Sequence, residues 1–258
     1  MIDLFAPDSG TLLALFGARV SGLVLVAPVF SSRNVPAMVK AGLVVLITLL
    51  LAPAAIAGAA HDVAVTPAAM LGETLVGFAI GLGAALLVGA AEAAGEVMAI
   101  QIGLSGAAIL DPINQTQVPA LGQLMQLVAL ALLLSLNLHL VMLDALAASA
   151  RVVPVGAPLD VAGGASALVR AGSTLFVLGL RFAAPVIAAV LVANVALAAL
   201  SRAAPQLNIL QLAFPIQIAI GLLTLLASLP LIATVLQGWT GTYDGMVGGV
   251  LQVLGGGR

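Results

Sequence analysis

The sequence contains no cysteine and very little charge. Of its 258 residues, only 7% are Asp, Glu, Lys or Arg, against roughly 25% in soluble domains. The absence of Cys excludes disulfides, thiolate catalysis and Cys-ligated metals. The scarcity of charge leaves too little polar surface to cover a soluble core, and no clustered basic face is available for nucleic acid. With 62% hydrophobic residues, the composition predicts an integral membrane protein with no nucleic-acid partner.

The usual signatures of an enzyme are also missing from the sequence. It has no phosphate-binding loop of the Walker type, and its residue spacing indicates neither a nucleophile–base pair nor a metal cluster. His139 follows Asn137 by two positions, but a single His without a second ligand is a weak metal signal. We favour a hydrogen-bonding role for this pair, and we predict no catalytic activity, no cofactor and no metal.

Long apolar segments predict an all-α membrane protein with about six helices. They run approximately over residues 10–29, 36–60, 67–103, 120–149, 165–200 and 209–236. The fifth would be about 54 Å long at 1.5 Å per residue, which exceeds a hydrocarbon core of about 30 Å. Pro185 should kink that helix. The Pro- and Gly-rich link 151–164 is the one plausible internal boundary.

The tail from 237 to 258 is predicted to be frayed because it is rich in Gly. It carries the only Trp and the only Tyr of the chain, Trp239 and Tyr243. Aromatic residues of this kind are enriched at membrane–water interfaces, so we expect both to act as interface anchors.

A row of small residues in the third helix predicts close helix packing. Its members are Gly77, Gly81, Ala85, Gly89 and Ala93. Small side chains at every fourth position let a second helix backbone approach closely, which is how membrane helices associate. The partner helix is either internal or from another subunit.

A few charges fall within the apolar segments. They are Arg19, Glu73, Asp144, Arg170 and Arg181. Charge inside a membrane is costly and often functional, so these residues are either a proton or ion pathway or ion pairs that fix helix register. We favour ion pairing, because no single helix carries a string of acidic residues, and we expect Glu73 to pair with Arg19 or with a partner subunit.

The segment Gly103 to Gly122 is a polar interruption between two apolar helices. Asp111-Pro112 is typical of a turn, and Asn114 begins an uncharged polar run. Non-helical backbone at membrane depth is tolerated only inside protein or beside a wet cavity. The segment is therefore either an ordinary loop in water or a re-entrant element at a pathway.

Several motifs in chain order resemble the FliR family of flagellar export gates and its injectisome equivalents. They are Arg19 with Ala27-Pro28-Val29-Phe30, Val35-Pro36, Gly95, Gln101-x-Gly103-Leu104, Asp111-Pro112, Asn137-x-His139 and Arg202-Ala-Ala-Pro205-Gln206-x-Asn208. The last motif is the most specific, and the resemblance covers nearly the whole chain. The Asp111-Pro112 loop and the stretch from Ala27 to Pro36 favour the flagellar over the injectisome system.

This resemblance implies an inner-membrane export-gate subunit in the flagellum basal body, assembled with FliP, FliQ and FlhB-like companions. Residues 1–150 would be FliP-like and residues 165–236 a FliQ-like helix hairpin. The loop 103–122 would be a plug that closes a channel for unfolded flagellar proteins. The plug residues would be Gly106, Ile109, Leu110, Asp111, Pro112, Ile113 and Asn114.

Two local alternatives remain open within that interpretation. Ile109, Leu110 and Ile113 either obstruct the channel or pack against neighbouring helices. The turn residues Arg202, Pro205, Gln206 and Asn208 form a contact with the export apparatus, a simple hairpin turn, or both.

A secondary transporter of a small solute is the competing function. Transporters of this class carry repeat-related broken helices around a midplane site. The interruption at 103–122 would be one such element, but the second half of the sequence has no matching segment. We therefore favour the gate subunit.

Overall fold

The computed structural model describes residues 9–32, 35–57, 64–104, 120–206 and 209–256. These ranges contain eight helices. They are α1 (Ser9–Val26), α2 (Ala37–Ala57), α3 (Pro67–Ile102), α4 (Ala120–Ser135), α5 (Leu138–Val152), α6 (Val161–Ala203), α7 (Ile209–Gln237) and α8 (Trp239–Leu254). The prediction of an all-α chain is confirmed.

The number of long helices differs from the prediction of about six. By length and composition, α3, α6 and α7 can each cross a membrane, and α4 with α5 makes a fourth span if the bent pair is counted as one. The apolar stretches of α1 and α2 are shorter. The chain is therefore membrane-embedded, with three or four membrane-capable spans among its described residues.

Local sequence signals explain where several helices start and stop. Thr66 accepts a hydrogen bond from the Ala69 amide at 3.1 Å, and Pro67 occupies the first position of α3, where its missing N–H costs little. Asp160 caps α6 in the same way, accepting from the Gly163 amide at 2.9 Å. Gly103 follows α3 with φ +85°, a conformation that Gly adopts without strain.

The prediction of one helix over 120–149 is wrong. The chain breaks between α4 and α5, where Asn137 adopts a left-handed conformation with φ 56° and ψ 25°. Asn tolerates this conformation better than other non-Gly residues. The sequence run around the break is Leu-rich and carries neither Gly nor Pro, so the apolar pattern alone predicted continuity.

The prediction of a frayed tail is also wrong, because residues 239–254 form α8. Trp239 and Tyr243 are 1% and 0% exposed, so they are core residues of the folded chain instead of interface anchors. The Tyr243 hydroxyl donates a 3.0 Å hydrogen bond to the Ile80 carbonyl of α3. At the other end of α8, the Leu254 carbonyl accepts from the Asp160 amide at 3.0 Å.

The chain folds into two compact units that are not contiguous in sequence. The first takes its described residues from 1–87, 133–173 and 239–258, and the second from 88–132 and 174–238. In the first unit α1 packs on α2, α2 on α5, and α5 on α8. The second unit contains the latter half of α3, most of α4 and α6, and α7.

Within the second unit, small residues allow close helix contacts. A Cβ at Gly95 of α3 would lie 2.6 Å from the Leu121 carbonyl oxygen of α4, and a Cβ at Gly179 of α6 would lie 3.0 Å from the Ala90 carbonyl oxygen of α3. Helix α6 is about 65 Å long at 1.5 Å per residue, and Pro185 lies inside it.

Candidate functional site

A buried arginine on α1 is the centre of the first unit. Arg19 is 0% exposed, and its Nε donates to the Glu73 Oε2 of α3 at 2.6 Å. One terminal nitrogen donates to the Ser149 hydroxyl of α5 at 2.9 Å, and the other donates to the Val153 carbonyl at 3.0 Å. The guanidinium thus reaches α3, α5 and the link that follows α5.

The carboxylate of Glu73 has a second partner, which closes the network. Its Oε1 accepts a 2.8 Å hydrogen bond from the amide of Gly156. The Ser149 hydroxyl in turn donates to the Leu146 carbonyl at 2.6 Å. A buried ion pair is tolerable when further hydrogen bonds satisfy both charges, and this one meets that condition.

Close backbone contact between α1 and α3 brings the two charges together. A Cβ at Gly77 would overlap the Arg19 carbonyl oxygen, and a Cβ at Gly22 would overlap the Thr74 carbonyl oxygen. A Cβ at Gly81 would lie 2.9 Å from the Leu23 carbonyl oxygen. Only Gly fits where two helix backbones approach this closely, so these glycines set the distance across which Arg19 reaches Glu73.

The first unit also holds a buried tyrosine. Burial, and secondarily the carboxylate of Asp244, raises the pKa of Tyr243 far above its usual value. The phenol therefore stays neutral and acts as a hydrogen-bond donor to α3.

Polar contacts in the second unit join helices in pairs. Gln126 of α4 donates to the Glu92 carboxylate of α3 at 2.9 Å. Gln217 of α7 donates to the Asn194 amide oxygen of α6 at 2.5 Å. Side-chain hydrogen bonds of this kind hold membrane helices together.

Comparisons with known proteins identify the family. The family described as bacterial export proteins, family 1, matches residues 11–242. The flagellar biosynthetic protein FliR of Escherichia coli (strain K12) is 37% identical over 220 residues, which is 83% of each chain. The protein of the same name from Bacillus subtilis (strain 168) is 28% identical over 245 residues, which is 92% of this chain and 91% of that protein.

The chain belongs to the FliR family of bacterial export proteins. It is a component of the flagellar export apparatus, as the motifs in its sequence predicted. The alternative of a small-solute transporter is not supported by these matches.

The predicted charged residues of this FliR-family chain fall into two groups. Arg19 and Glu73 come together in the buried network. Asp144 on α5 and Arg181 on α6 are exposed, and Arg170 donates to Ser166 at 3.0 Å one turn earlier on the same helix. The structure therefore brings one pair together and leaves the other charges on the surface of the chain.

The row of small residues on α3 also divides. Gly77 and Gly81 lie against α1. A Cβ at Gly89 would meet nothing within 4 Å, Ala85 is half-buried and Ala93 is exposed. The first half of the row is thus an internal contact, and the second half faces outward.

The remaining predicted residues are only partly described by the structure. Arg202 lies in the last turn of α6, and Pro205 and Gln206 are exposed just after that helix. Asn208 lies outside the described residues, as do the predicted plug residues Gly106, Ile109, Leu110, Asp111, Pro112, Ile113 and Asn114.

Sequence reasoning missed three partners of the ion pair. They are the Ser149 hydroxyl, the Val153 carbonyl and the Gly156 amide. A buried guanidinium needs more acceptors than one carboxylate supplies, so polar groups around the link 151–164 were the signal to search for. In the described part of the chain, no three His, Asp or Glu side chains lie close enough to bind a metal ion.

Replacing Glu73 tests the network. Glu73→Gln leaves Arg19 buried without its counter-ion, and we expect a loss of about 3–5 kcal/mol of stability, measured as a lower melting temperature of the purified chain in mild detergent. Glu92→Gln is the matched control, because the amide oxygen still accepts from Gln126 and the site is only partly buried. A melting temperature for Glu73→Gln equal to that of the control would contradict a structural role for the pair.

Proposed function

We propose that the chain is a subunit of the inner-membrane export gate of the flagellar basal body. In this role it forms part of the channel through which unfolded flagellar proteins pass, and it catalyses no reaction itself. The observation that supports this most is the exposure of its long apolar helices. Only 29% of the most apolar 18-residue stretch of α6 is buried within the chain, and only 22% of the corresponding stretch of α7.

Lipid alone would leave part of the apolar surface of these helices exposed to water. Helix α6 is about twice as long as the hydrocarbon core of about 30 Å, so its apolar surface extends beyond one bilayer crossing. Apolar patches of this size on a single chain mark surfaces that bind other proteins or membrane. Other subunits of an assembly supply the missing cover, and we propose FliP-, FliQ- and FlhB-like proteins for this role.

The two long helices support the proposed division into FliP-like and FliQ-like parts. Residues 165–236 would be the FliQ-like hairpin. Helix α6 ends at Ala203 and α7 begins at Ile209, and Gln217 bonds Asn194 across the pair. Residues 1–150 would be FliP-like, with 151–164 as the link and 237–258 as the C-terminal segment. The exposed turn residues Arg202, Pro205 and Gln206 would face the rest of the export apparatus.

We place the channel plug in the loop 103–122. The helices that flank it, α3 and α4, are in close contact through Gly95 and Leu121, and Gln126 bonds Glu92 farther along the pair. The two helix ends from which this loop starts and to which it returns are therefore packed against each other. Apart from Asp111, the loop carries no charged residue, which suits a seal that must not trap charged substrates.

The plug is tested by removing its apolar side chains. The triple variant Ile109→Ala, Leu110→Ala, Ile113→Ala should raise ion leakage through the assembled complex in liposomes severalfold, because the obstruction shrinks. The control is Leu46→Ala, Leu49→Ala, Leu50→Ala on the exposed side of α2, which removes the same number of carbon atoms from another helix. Leakage equal to that of the unmodified complex in both variants would contradict the plug.

The gate function is tested by purification of the tagged chain from its native membrane in a gentle detergent, with mass spectrometry of the proteins recovered. We expect FliP-like and FliQ-like proteins in a large complex of fixed composition, because the exposed faces of α6 and α7 need protein partners. A stable, monodisperse chain recovered without them would contradict the proposal.

A further inference from the structure

We propose that the outward face of the second half of α3 binds a helix of a neighbouring gate subunit, and that this helix carries a basic side chain opposite Glu96. The inference rests on the proposed function, because it requires a gate built from several chains. It assigns to α3 an interaction surface and to the partner a stated chemistry.

The face is one side of a single helix within the second unit. Its members are Gly89, Ala93, Glu96, Val97 and Ile100. At 3.6 residues per turn these positions share one side over about 17 Å. Val97 and Ile100 are 41% and 65% exposed, whereas Ala94 and Met98 on the other side are buried. The helix thus has one packed side and one open side.

Neither water nor lipid suits this face. Ile100 and its apolar neighbours disfavour water. The exposed Glu96 carboxylate disfavours hydrocarbon, where an ionised side chain is costly unless it is paired. Within the described residues no side chain pairs with Glu96, in contrast to Glu92, which accepts from Gln126. A polypeptide helix with apolar side chains and one cation satisfies both requirements.

The N-terminal part of the face, around Gly89, provides room for such a helix. Gly89 lies inside a helix, where Gly is unfavourable relative to Ala, yet nothing in the described chain lies within 4 Å of a Cβ built there. No internal contact accounts for the glycine. Gly77 of the same helix shows the opposite situation, because the backbone of α1 lies directly against that position.

The charge at position 96 and the size of the residue at position 89 are varied separately to test the proposal. Glu96→Lys places like charges together and Gly89→Leu fills the space for the partner, so each should lower the FliP-like and FliQ-like proteins recovered per tagged chain by roughly tenfold or more. Glu96→Asp and Gly89→Ala are the matched controls and should keep recovery near the unmodified level. The melting temperature of the isolated chain should not fall in the two Gly89 variants, because nothing lies within 4 Å of a Cβ at that position. The side chain of Glu96 lies beside Gly122 of α4, so the melting temperature of Glu96→Lys is compared with that of Glu96→Asp to separate a packing effect from the loss of partners.

The occupant is identified by cross-linking. The chain has no Cys, so Ile100→Cys carries the only thiol and accepts a photoactivatable maleimide. We expect a cross-link to a companion gate subunit next to a Lys or Arg. A cross-link to lipid alone, or to residues 105–119 of the same chain, would overturn the proposal.

The two failures are distinguishable. If the unmodified chain recovers no companions, the proposed function fails. If the unmodified chain recovers them and both Glu96→Lys and Gly89→Leu do so equally, the gate stands and only the α3 face is wrong.

Discussion

The buried pair of Arg19 and Glu73 is the interaction on which the rest of the first unit depends. An arginine without exposed surface is tolerable only if every nearby acceptor is in place, so α1, α3, α5 and the link after α5 must adopt one arrangement. The contact at Gly77 makes this possible, because only backbones that touch bring the two charges into range. The glycines let α1 and α3 approach each other closely, and the ion pair then fixes which residues of the two helices lie opposite each other.

The second unit is held differently. Its helices meet through glutamine hydrogen bonds and small residues, and most of the apolar stretches of α6 and α7 remain uncovered by the chain itself. Such helices gain little stability from internal burial. In the proposed gate this division has a functional meaning, because the first unit is fixed by a buried network of its own, whereas α6 and α7 would be covered by neighbouring subunits.

The sequence predicted the helical class, the membrane environment, the family and the possible Arg19–Glu73 pair. It did not predict the break at Asn137, because a left-handed Asn leaves no trace in an apolar pattern without Gly or Pro. It also assigned Trp239 and Tyr243 to an interface, since aromatic residues near an end are typical of anchors. The Tyr243 ring lies directly against Gly83 of α3, where a Cβ would be 3.2 Å from it, and that contact exists only after folding.

The most direct test of this account is backbone hydrogen exchange of the chain alone and within the purified assembly, in the same detergent. The account predicts that assembly slows exchange mainly in residues 174–237 and leaves the amides around Arg19 and Glu73 unchanged, because the network is already complete. Slowing that is confined to α1 and α5, or absent throughout α6 and α7, would contradict the division into a unit fixed by its own buried network and a unit completed by partners.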